Sequence, residues 1–191
     1  FANDRELENI VEDAIEGGAT VVQFREKNAG TDEAIRRARS LHMITRKAGI
    51  PLIVNDRIDV ALAIDAEGLH VGQDDTSASK ARALIGPNKI LGVSACTVAQ
   101  AQQAEKDGAD YLGVGDIFGT KSKVNAGVPI GLEMLRQIAQ SVHIPIVGIG
   151  GVSADNASQV IGAGASGVAV ISAIMSAAQP RDAAAHLRAV V

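Results

Sequence analysis

The stretch Gly108-Ala109-Asp110-Tyr111-Leu112 joins the end of a predicted helix to the start of a predicted buried strand. Residues 18–22 and 164–168 repeat the same order, a Gly-Ala step followed by one polar residue and a run suited to a strand. Glycine ends a helix because it adopts the left-handed conformation at little cost, and a tight turn into the strand follows. The repeat therefore predicts consecutive β/α units, which form a parallel sheet with right-handed crossovers.

Hydrophobic periodicity extends this alternation along the whole chain. Seven apolar runs are typical of buried parallel strands, at residues 20–24, 51–54, 68–71, 90–93, 111–114, 144–149 and 167–172. Eight amphipathic segments are predicted helices, at residues 4–16, 32–48, 58–64, 77–84, 98–106, 132–142, 155–162 and 181–191. Because the surplus helix stands first, the α/β pattern favours a (β/α)8 TIM barrel lacking its first strand, which we expect upstream of Phe1. An open doubly wound sheet is the alternative.

The composition predicts one globular domain over residues 1–191. The chain carries 18 basic and 22 acidic side chains, a formal net charge of −4 and 47% hydrophobic residues. This balance gives no reason to expect a nucleic-acid partner, and no apolar run is long enough for a membrane span. A single cysteine excludes an internal disulfide and a cysteine zinc cluster. Because no secretory signal is visible, we expect a cytoplasmic location. The sequence leaves open whether the chain forms a homo-oligomer.

Polar residues follow the predicted strands, at the end where β/α barrels carry their active sites. They lie within residues 23–28, 55–57, 72–75, 94–96, 115–123, 148–151 and 171–173. A purely structural surface would not require polar and charged residues to be concentrated on one rim. The pattern predicts a binding site there.

Two anion sites are predicted on this rim. Gly150-Gly151 and Ser172 would present backbone N–H groups after the last two strands, where such barrels usually bind phosphate. The cations Arg25, Lys27 and Lys123 repel one another unless an anion lies between them, and both side-chain types bind phosphate oxygens. The alternatives are a tight glycine turn and solvated surface charge.

Asp56 and Asp75 end adjacent predicted strands. Two carboxylates near a phosphate suit Mg²⁺, which takes few carboxylates, several waters and phosphate oxygens of the substrate. Helix N-capping is the alternative, and spacing alone leaves the two open.

The remaining chemistry-bearing residues are interpreted as structural. His42, His70, His143 and His186 show no metal-ligand spacing. Cys96 has no paired base evident in the sequence and is interpreted as a small polar wall residue.

Six motifs occur in order at the predicted strand ends. They are Gln23-Phe24-Arg25-Glu26-Lys27, Asn55-Asp56-Arg57, Gly68-Leu69-His70-Val71-Gly72-Gln73-Asp74-Asp75, Gly92-Val93-Ser94, Thr120-Lys121-Ser122-Lys123 and Gly148-Ile149-Gly150-Gly151. Together they resemble thiamine-phosphate synthase over nearly the whole chain. No single motif is decisive, but the ordered set is specific.

The resemblance implies a transferase of thiamine biosynthesis. That family joins 4-amino-5-hydroxymethyl-2-methylpyrimidine diphosphate to a thiazole phosphate, plain or carboxylated, and requires Mg²⁺. The products are thiamine monophosphate and pyrophosphate. The resemblance implies that the pyrimidine diphosphate is held by Gln23, Arg25, Lys27, Asn55, Ser94 and Lys123, with Phe24 and Glu26 of the same motif as further substrate-binding residues. It implies Thr120, Lys121, Ser122, Gly151, Ile171 and Ser172 for the thiazole phosphate, and Asp56 and Asp75 for Mg²⁺.

The implied mechanism is dissociative. Diphosphate leaves the pyrimidine, and the thiazole nitrogen captures the resulting delocalised cation. Preorganised cations stabilise the leaving group, and no protein nucleophile is needed. The expected catalytic residues are Arg25, Lys27, Ser94 and Lys123.

Two positions depart from the family pattern, and two other functions compete. The family often has histidine at the position of Cys96 and proline at that of Asp116. A thiazole tautomerase on the same barrel is expected to use that histidine and has little need for the charged set. A catalytically silent phosphate-binding barrel is the other alternative.

Overall fold

The computed structural model describes residues 6–120 and 128–191. Within them, seven parallel strands form one sheet in sequence order, each paired with the next. The strands are β1 (Val22–Phe24), β2 (Leu52–Asn55), β3 (Gly68–Val71), β4 (Ile90–Ala95), β5 (Tyr111–Val114), β6 (Ile146–Ile149) and β7 (Gly167–Ala169). The helices are α1 (Leu7–Glu16), α2 (Thr31–Ala48), α3 (Ile58–Ile64), α4 (Ala78–Ile85), α5 (Val98–Lys106), α6 (Gly131–Ala139), α7 (Ala157–Gly162), α8 (Ser172–Met175) and α9 (Pro180–Ala189).

The count and order of the strands in residues 6–120 and 128–191 confirm a TIM-type β/α fold, with seven strands described where a full barrel has eight. A doubly wound sheet would reverse its strand order at a switch point, and this sheet does not. The run predicted as a strand over residues 167–172 ends earlier, at Ala169, because α8 begins at Ser172. In the described part of the chain, no helix combines the length and apolar character needed to cross a membrane.

Alternate strand residues point to opposite faces of the sheet. One face supplies the apolar core beneath the helices, including the fully buried Leu52, Leu69 and Leu112. On the other face, Asn55, His70, Gly92 and Tyr111 are register partners across β2 to β5. The interior of the curved sheet is therefore polar at this level.

At the amino-terminal edge of the sheet, carboxylates accept hydrogen bonds from backbone N–H groups of the strands. Oε2 of Glu67 accepts a hydrogen bond from the backbone N–H of Leu52 at 2.9 Å. Oδ2 of Asp110 accepts from the backbone N–H of Leu91 at 2.7 Å and from Arg82 at 2.5 Å. These contacts satisfy strand donors that have no partner in the ladder, at the edge opposite the predicted site.

Candidate active site

The carboxyl-terminal edge of the sheet brings the two predicted metal carboxylates together. Asp56 follows β2 with a left-handed φ of 64°, and its backbone N–H donates to the carbonyl oxygen of His70 at 2.8 Å. Oδ2 of Asp75 accepts from the backbone N–H of Gly72 at 2.8 Å. The side chains of Asp56 and Asp75 are hydrogen-bonded to each other. Neither carboxylate caps a helix, because α3 and α4 start without a side-chain cap.

The electrostatics of this pair show that two cations lie beside it. Burial, followed by the hydrogen bond and negative charge of Asp75, raises the pKa of Asp56 to about 6, although Arg25 and Lys27 act in the opposite direction. Burial also acts to raise the pKa of Asp75. The hydrogen bonds from Asp56 and Gly72, with the same two cations, outweigh it and lower that pKa below its usual value. The carboxylates therefore titrate as one pair that holds a proton in mildly acidic solution.

The acidic pair fits the donor set that Mg²⁺ prefers. Among residues 6–120 and 128–191, no cluster of three or more potential metal-ligating His, Cys, Asp or Glu side chains is found. Asp56 and Asp75 are thus a two-carboxylate site, which suits an ion that completes its shell with water and phosphate oxygens. Nearby Arg25 and Lys27 would favour such an anionic partner.

A buried hydrogen-bonded chain lies next to this site. The Nδ1 atom of His70 is 3.0 Å from the hydroxyl of Tyr111, and its Nε2 atom is 2.9 Å from Oγ of Ser94. His70 is only 6% exposed, and burial lowers its pKa to about 4. Burial raises the pKa of Tyr111 to about 12, partly offset by a hydrogen bond with the side chain of Gln23. Two predicted substrate-binding residues, Gln23 and Ser94, are therefore joined through His70 and Tyr111.

Sequence reasoning missed the connection of His70 with the site. Its two partners are 24 and 41 residues away along the chain. Strand register brings them together, and no local spacing reveals register. The available signal was the alternation of β3, which puts His70 on the same face as Asn55 of the neighbouring strand.

The family model described as thiamine monophosphate synthase matches residues 2–174. The chain belongs to this family. The thiamine-phosphate synthase of Chloroflexus aurantiacus is 58% identical over 182 residues, which covers 95% of this chain and 84% of that protein. That of Moorella thermoacetica is also 58% identical over 182 residues, covering 95% and 87%.

A solved structure agrees with this assignment. Thiamine phosphate pyrophosphorylase from Pyrococcus furiosus is 44% identical, covers 97% of this chain and 89% of its own, and superposes with a TM-score of 0.89. The family predicted from the sequence is confirmed, and with it a transferase of thiamine biosynthesis. The names of these relatives favour the synthase over the tautomerase.

In this member of the family, the side chains of the first motif, residues 23–27, do not all face the proposed site. Phe24 is 6% exposed and belongs to the apolar core, so its side chain does not line the site. Glu26 accepts from the backbone N–H of Asn28 at 2.9 Å and from Arg37 at 2.7 Å. Its carboxylate thus holds the loop that carries Arg25 and Lys27.

Other predicted members of the synthase site lie at the ends of β2 and β4. Asn55 is 8% exposed and pairs in register with His70. The backbone carbonyl of Ser94 accepts from Nε2 of Gln73 at 2.6 Å, so this residue is held by both its backbone and its side chain. The Sγ atom of Cys96 donates to Oε1 of Gln100 at 3.1 Å, consistent with a wall residue.

The loops predicted for the second substrate pack against each other. The backbone N–H groups of Ile117 and Phe118 donate to the carbonyls of Ile149 and Gly150, each at 3.0 Å. Gly151 has a φ of 66° and is exposed, with the carbonyl of Gly119 so close that a Cβ atom there would lie 2.5 Å away.

Near these loops the sequence also predicts a helix directly after the two glycines and further substrate-binding residues. The helix after the glycines does not start beside them, because α7 begins at Ala157. Ile171 and Ser172 are exposed after β7, and Thr120 ends the described part of its loop. Lys121, Ser122 and Lys123 lie outside the described residues.

Proposed function

We propose that this protein forms thiamine monophosphate and pyrophosphate from the aminopyrimidine diphosphate and a thiazole phosphate. The carrying observation is the acidic pair Asp56–Asp75 with Arg25 and Lys27 beside it, at the carboxyl edge of a parallel sheet. Relatives named thiamine-phosphate synthase that match 95% of the chain support the assignment. Both substrates are small anionic molecules, and we assign the reaction to the cytoplasm.

The diphosphate would be bound between cations and a metal ion. Asp56 and Asp75 would hold Mg²⁺, which when bound supplies positive charge to the departing diphosphate. Arg25 can bind two phosphate oxygens at once, whereas Lys27 acts as a mobile point charge. Lys123, which follows the fifth strand in the sequence, belongs to the same proposed cation set. These charges act most strongly where negative charge grows during the reaction.

The substitution at carbon follows from this placement. The bond between the exocyclic methylene carbon of the pyrimidine and the diphosphate oxygen breaks, and the oxygen keeps the electron pair. The carbon is left as a cation delocalised into the amino-substituted ring. The thiazole nitrogen donates its lone pair to form the new C–N bond. Gln23, Asn55 and Ser94 would hold the ring so that the two reacting atoms stay in line.

The thiazole phosphate would lie between the loops after β5, β6 and β7. Thr120, Gly151, Ile171 and Ser172 are at this end of the sheet, with Lys121 and Ser122 in the same proposed set. Holding the thiazole through its phosphate replaces a bimolecular encounter and lets its nitrogen compete with water for the cation.

The decisive experiment is the coupling assay with both substrates and Mg²⁺, with and without EDTA. We expect thiamine monophosphate with the metal, loss of product with EDTA, and recovery when Mg²⁺ is added back. Asp56→Asn should lose nearly all turnover. Asp59→Asn is the matched control, since that carboxylate pairs with Arg57 at 2.6 Å on α3, and it should stay active. A folded protein that forms no product above the enzyme-free control contradicts the proposal.

Lys123→Ala tests the cation set separately. Removing one cation from the proposed diphosphate site should lower kcat by about two orders of magnitude, as for other charge-stabilising groups. The melting temperature should change little. Full activity of this variant would remove Lys123 from the set.

A further inference from the structure

Two glycines make room for polar rings inside the sheet. His70, Gly92 and Tyr111 are register partners on β3, β4 and β5. A Cβ atom at Gly92 would overlap both the Tyr111 ring and Nδ1 of His70, and one at Gly113 would lie 2.8 Å from Cε1 of His70. Glycine weakens a strand and often marks close approach of another group. Here the group it admits is the His70–Tyr111 pair.

The hydrogen-bonded chain runs from Tyr111 through His70 to Ser94. Nδ1 of His70 is 3.0 Å from the phenol oxygen of Tyr111, and Nε2 is 2.9 Å from Oγ of Ser94. A neutral imidazole has one N–H and one bare nitrogen, so one ring nitrogen donates and the other accepts. Both ring nitrogens of His70 are therefore engaged, one by Tyr111 and one by Ser94.

Ser94 is held from two sides. Its hydroxyl is hydrogen-bonded to His70 at 2.9 Å, and its backbone carbonyl accepts from Gln73 at 2.6 Å. No other hydrogen bond of the Ser94 side chain occurs among the described residues. A hydroxyl can take part in more than one hydrogen bond, so this one keeps capacity for a ligand.

We propose that His70 and Tyr111 are positioning residues that fix the Ser94 hydroxyl for its hydrogen bond to the pyrimidine substrate. This inference rests on the proposed function for the identity of the ligand. The hydrogen-bonded chain itself belongs to the protein alone.

The first test needs no turnover. Nitrogen NMR of labelled protein should show both ring nitrogens of His70 hydrogen-bonded in the free enzyme. Tyr111→Phe removes the partner of Nδ1, and the signals of both ring nitrogens should then shift. Ring signals of His70 that do not respond to Tyr111→Phe would overturn the inference, whether or not the protein makes thiamine monophosphate.

The second test is a double-mutant cycle between Tyr111→Phe and Ser94→Ala. Each single variant should raise the KM for the pyrimidine diphosphate about tenfold, the usual effect of losing one hydrogen bond. The double variant should be no worse than Ser94→Ala, because Tyr111 acts through Ser94. Inhibition by inorganic pyrophosphate, which lacks the ring, should be unchanged. Independent, additive effects would contradict the inference.

Controls separate positioning from folding. His42 is as buried as His70, each 6% exposed, but bonds Glu67 at the opposite edge of the sheet. His42→Asn should lower the melting temperature and leave the KM unchanged. If Tyr111→Phe does not fold, His70→Asn takes its place in the cycle.

Discussion

At Asp56, a substitution can remove the side-chain charge without changing the backbone conformation. Its φ of 64° lies in the left-handed region, which asparagine and aspartate tolerate better than other non-glycine residues. Asp56→Asn therefore removes the negative charge without straining the turn after β2. A change in the stability of this variant therefore measures the electrostatic effect of the acidic pair.

Without divalent cations, Asp56→Asn should stabilise the protein at neutral pH. The pKa of Asp56 rises to about 6 in the folded state, so the folded protein binds this proton more tightly than the unfolded chain. Stability from this group is therefore lost as pH rises from about 4 through 6. The residue is partly exposed, so we expect a gain of about 1 kcal/mol after screening by solvent.

Urea unfolding at pH 7 in EDTA measures this gain. Mg²⁺ should then raise the melting temperature of the wild-type protein and leave Asp56→Asn unchanged. A loss of stability in Asp56→Asn under EDTA would contradict the account of the pair.

At the residue scale, the sequence predicts which residues meet at the ends of adjacent strands. It does not predict contacts that depend on the register between strands. Asp56 and Asp75 end adjacent strands, so their meeting follows from parallel order alone. Phe24 was expected at the site because it belongs to a recognised motif, but alternation along β1 turns it into the core. His70 was interpreted as an isolated structural residue because its partners come from β4 and β5.

At the element scale, strand donors at the amino-terminal edge are satisfied by carboxylates from outside the ladder. Glu67 binds the N–H of Leu52 at 2.9 Å and Nε2 of His42 at 3.0 Å, which ties β2 to α2. Glu105 accepts from the backbone N–H of His143 at 2.7 Å, just before β6. These contacts hold strands and helices together on the face away from the proposed chemistry.

Glu67→Ala should destabilise the protein and spare its catalysis. It leaves the Leu52 N–H and buried His42 without their acceptor, and such a loss costs about 1–3 kcal/mol. Chemical unfolding measures the loss, while kcat at saturating substrate should remain near the wild-type value. Glu12→Ala, on the exposed side of α1, is the matched control and should change neither. A large fall in kcat with unchanged stability would refute this division of labour.

The elements themselves were largely predictable because their boundaries have local causes. Gly49 follows α2 with a φ of 71°, the usual helix end, and Thr97 caps α5 by accepting from the N–H of Gln100. The helix α8 was not predicted, because its four residues are too few to show a helical period.

At the scale of the whole molecule, two ionisable groups of the site oppose each other in acid. Burial lowers the pKa of His70 to about 4, so the folded protein binds fewer protons there than the unfolded chain. Stability from His70 is fully present above its ordinary pKa and is lost as pH falls from about 6.5 to 4. Asp56 contributes the opposite slope in nearly the same window.

The pH dependence of unfolding should therefore steepen when Asp56 is neutralised. Asp56→Asn should lose more stability than the wild type between pH 6.5 and 4, while His70→Asn should remove about 3 kcal/mol of acid destabilisation over that range. Urea unfolding at each pH checks both slopes. Parallel curves for all three proteins would contradict the opposing contributions.

The overall architecture followed from counting β/α units, because seven strands with a surplus leading helix fit a barrel better than an open sheet. The count alone left an open doubly wound sheet possible, and the unbroken strand order of the described sheet excludes it. Which face each helix covers, and which strand residues meet inside, depends on register across the sheet and is set by packing.

Tyr111 gives the polar layer an optical consequence. It is the only tyrosine in the sequence, and the sequence has no tryptophan. Ultraviolet emission from the unlabelled protein therefore arises essentially from this one ring, hydrogen-bonded to His70. A ligand that engages Ser94 should perturb the phenol through a single intervening imidazole. Emission from Tyr111 should therefore report occupancy of the proposed pyrimidine subsite, while ligands confined to the loops after β6 and β7 should leave it unchanged.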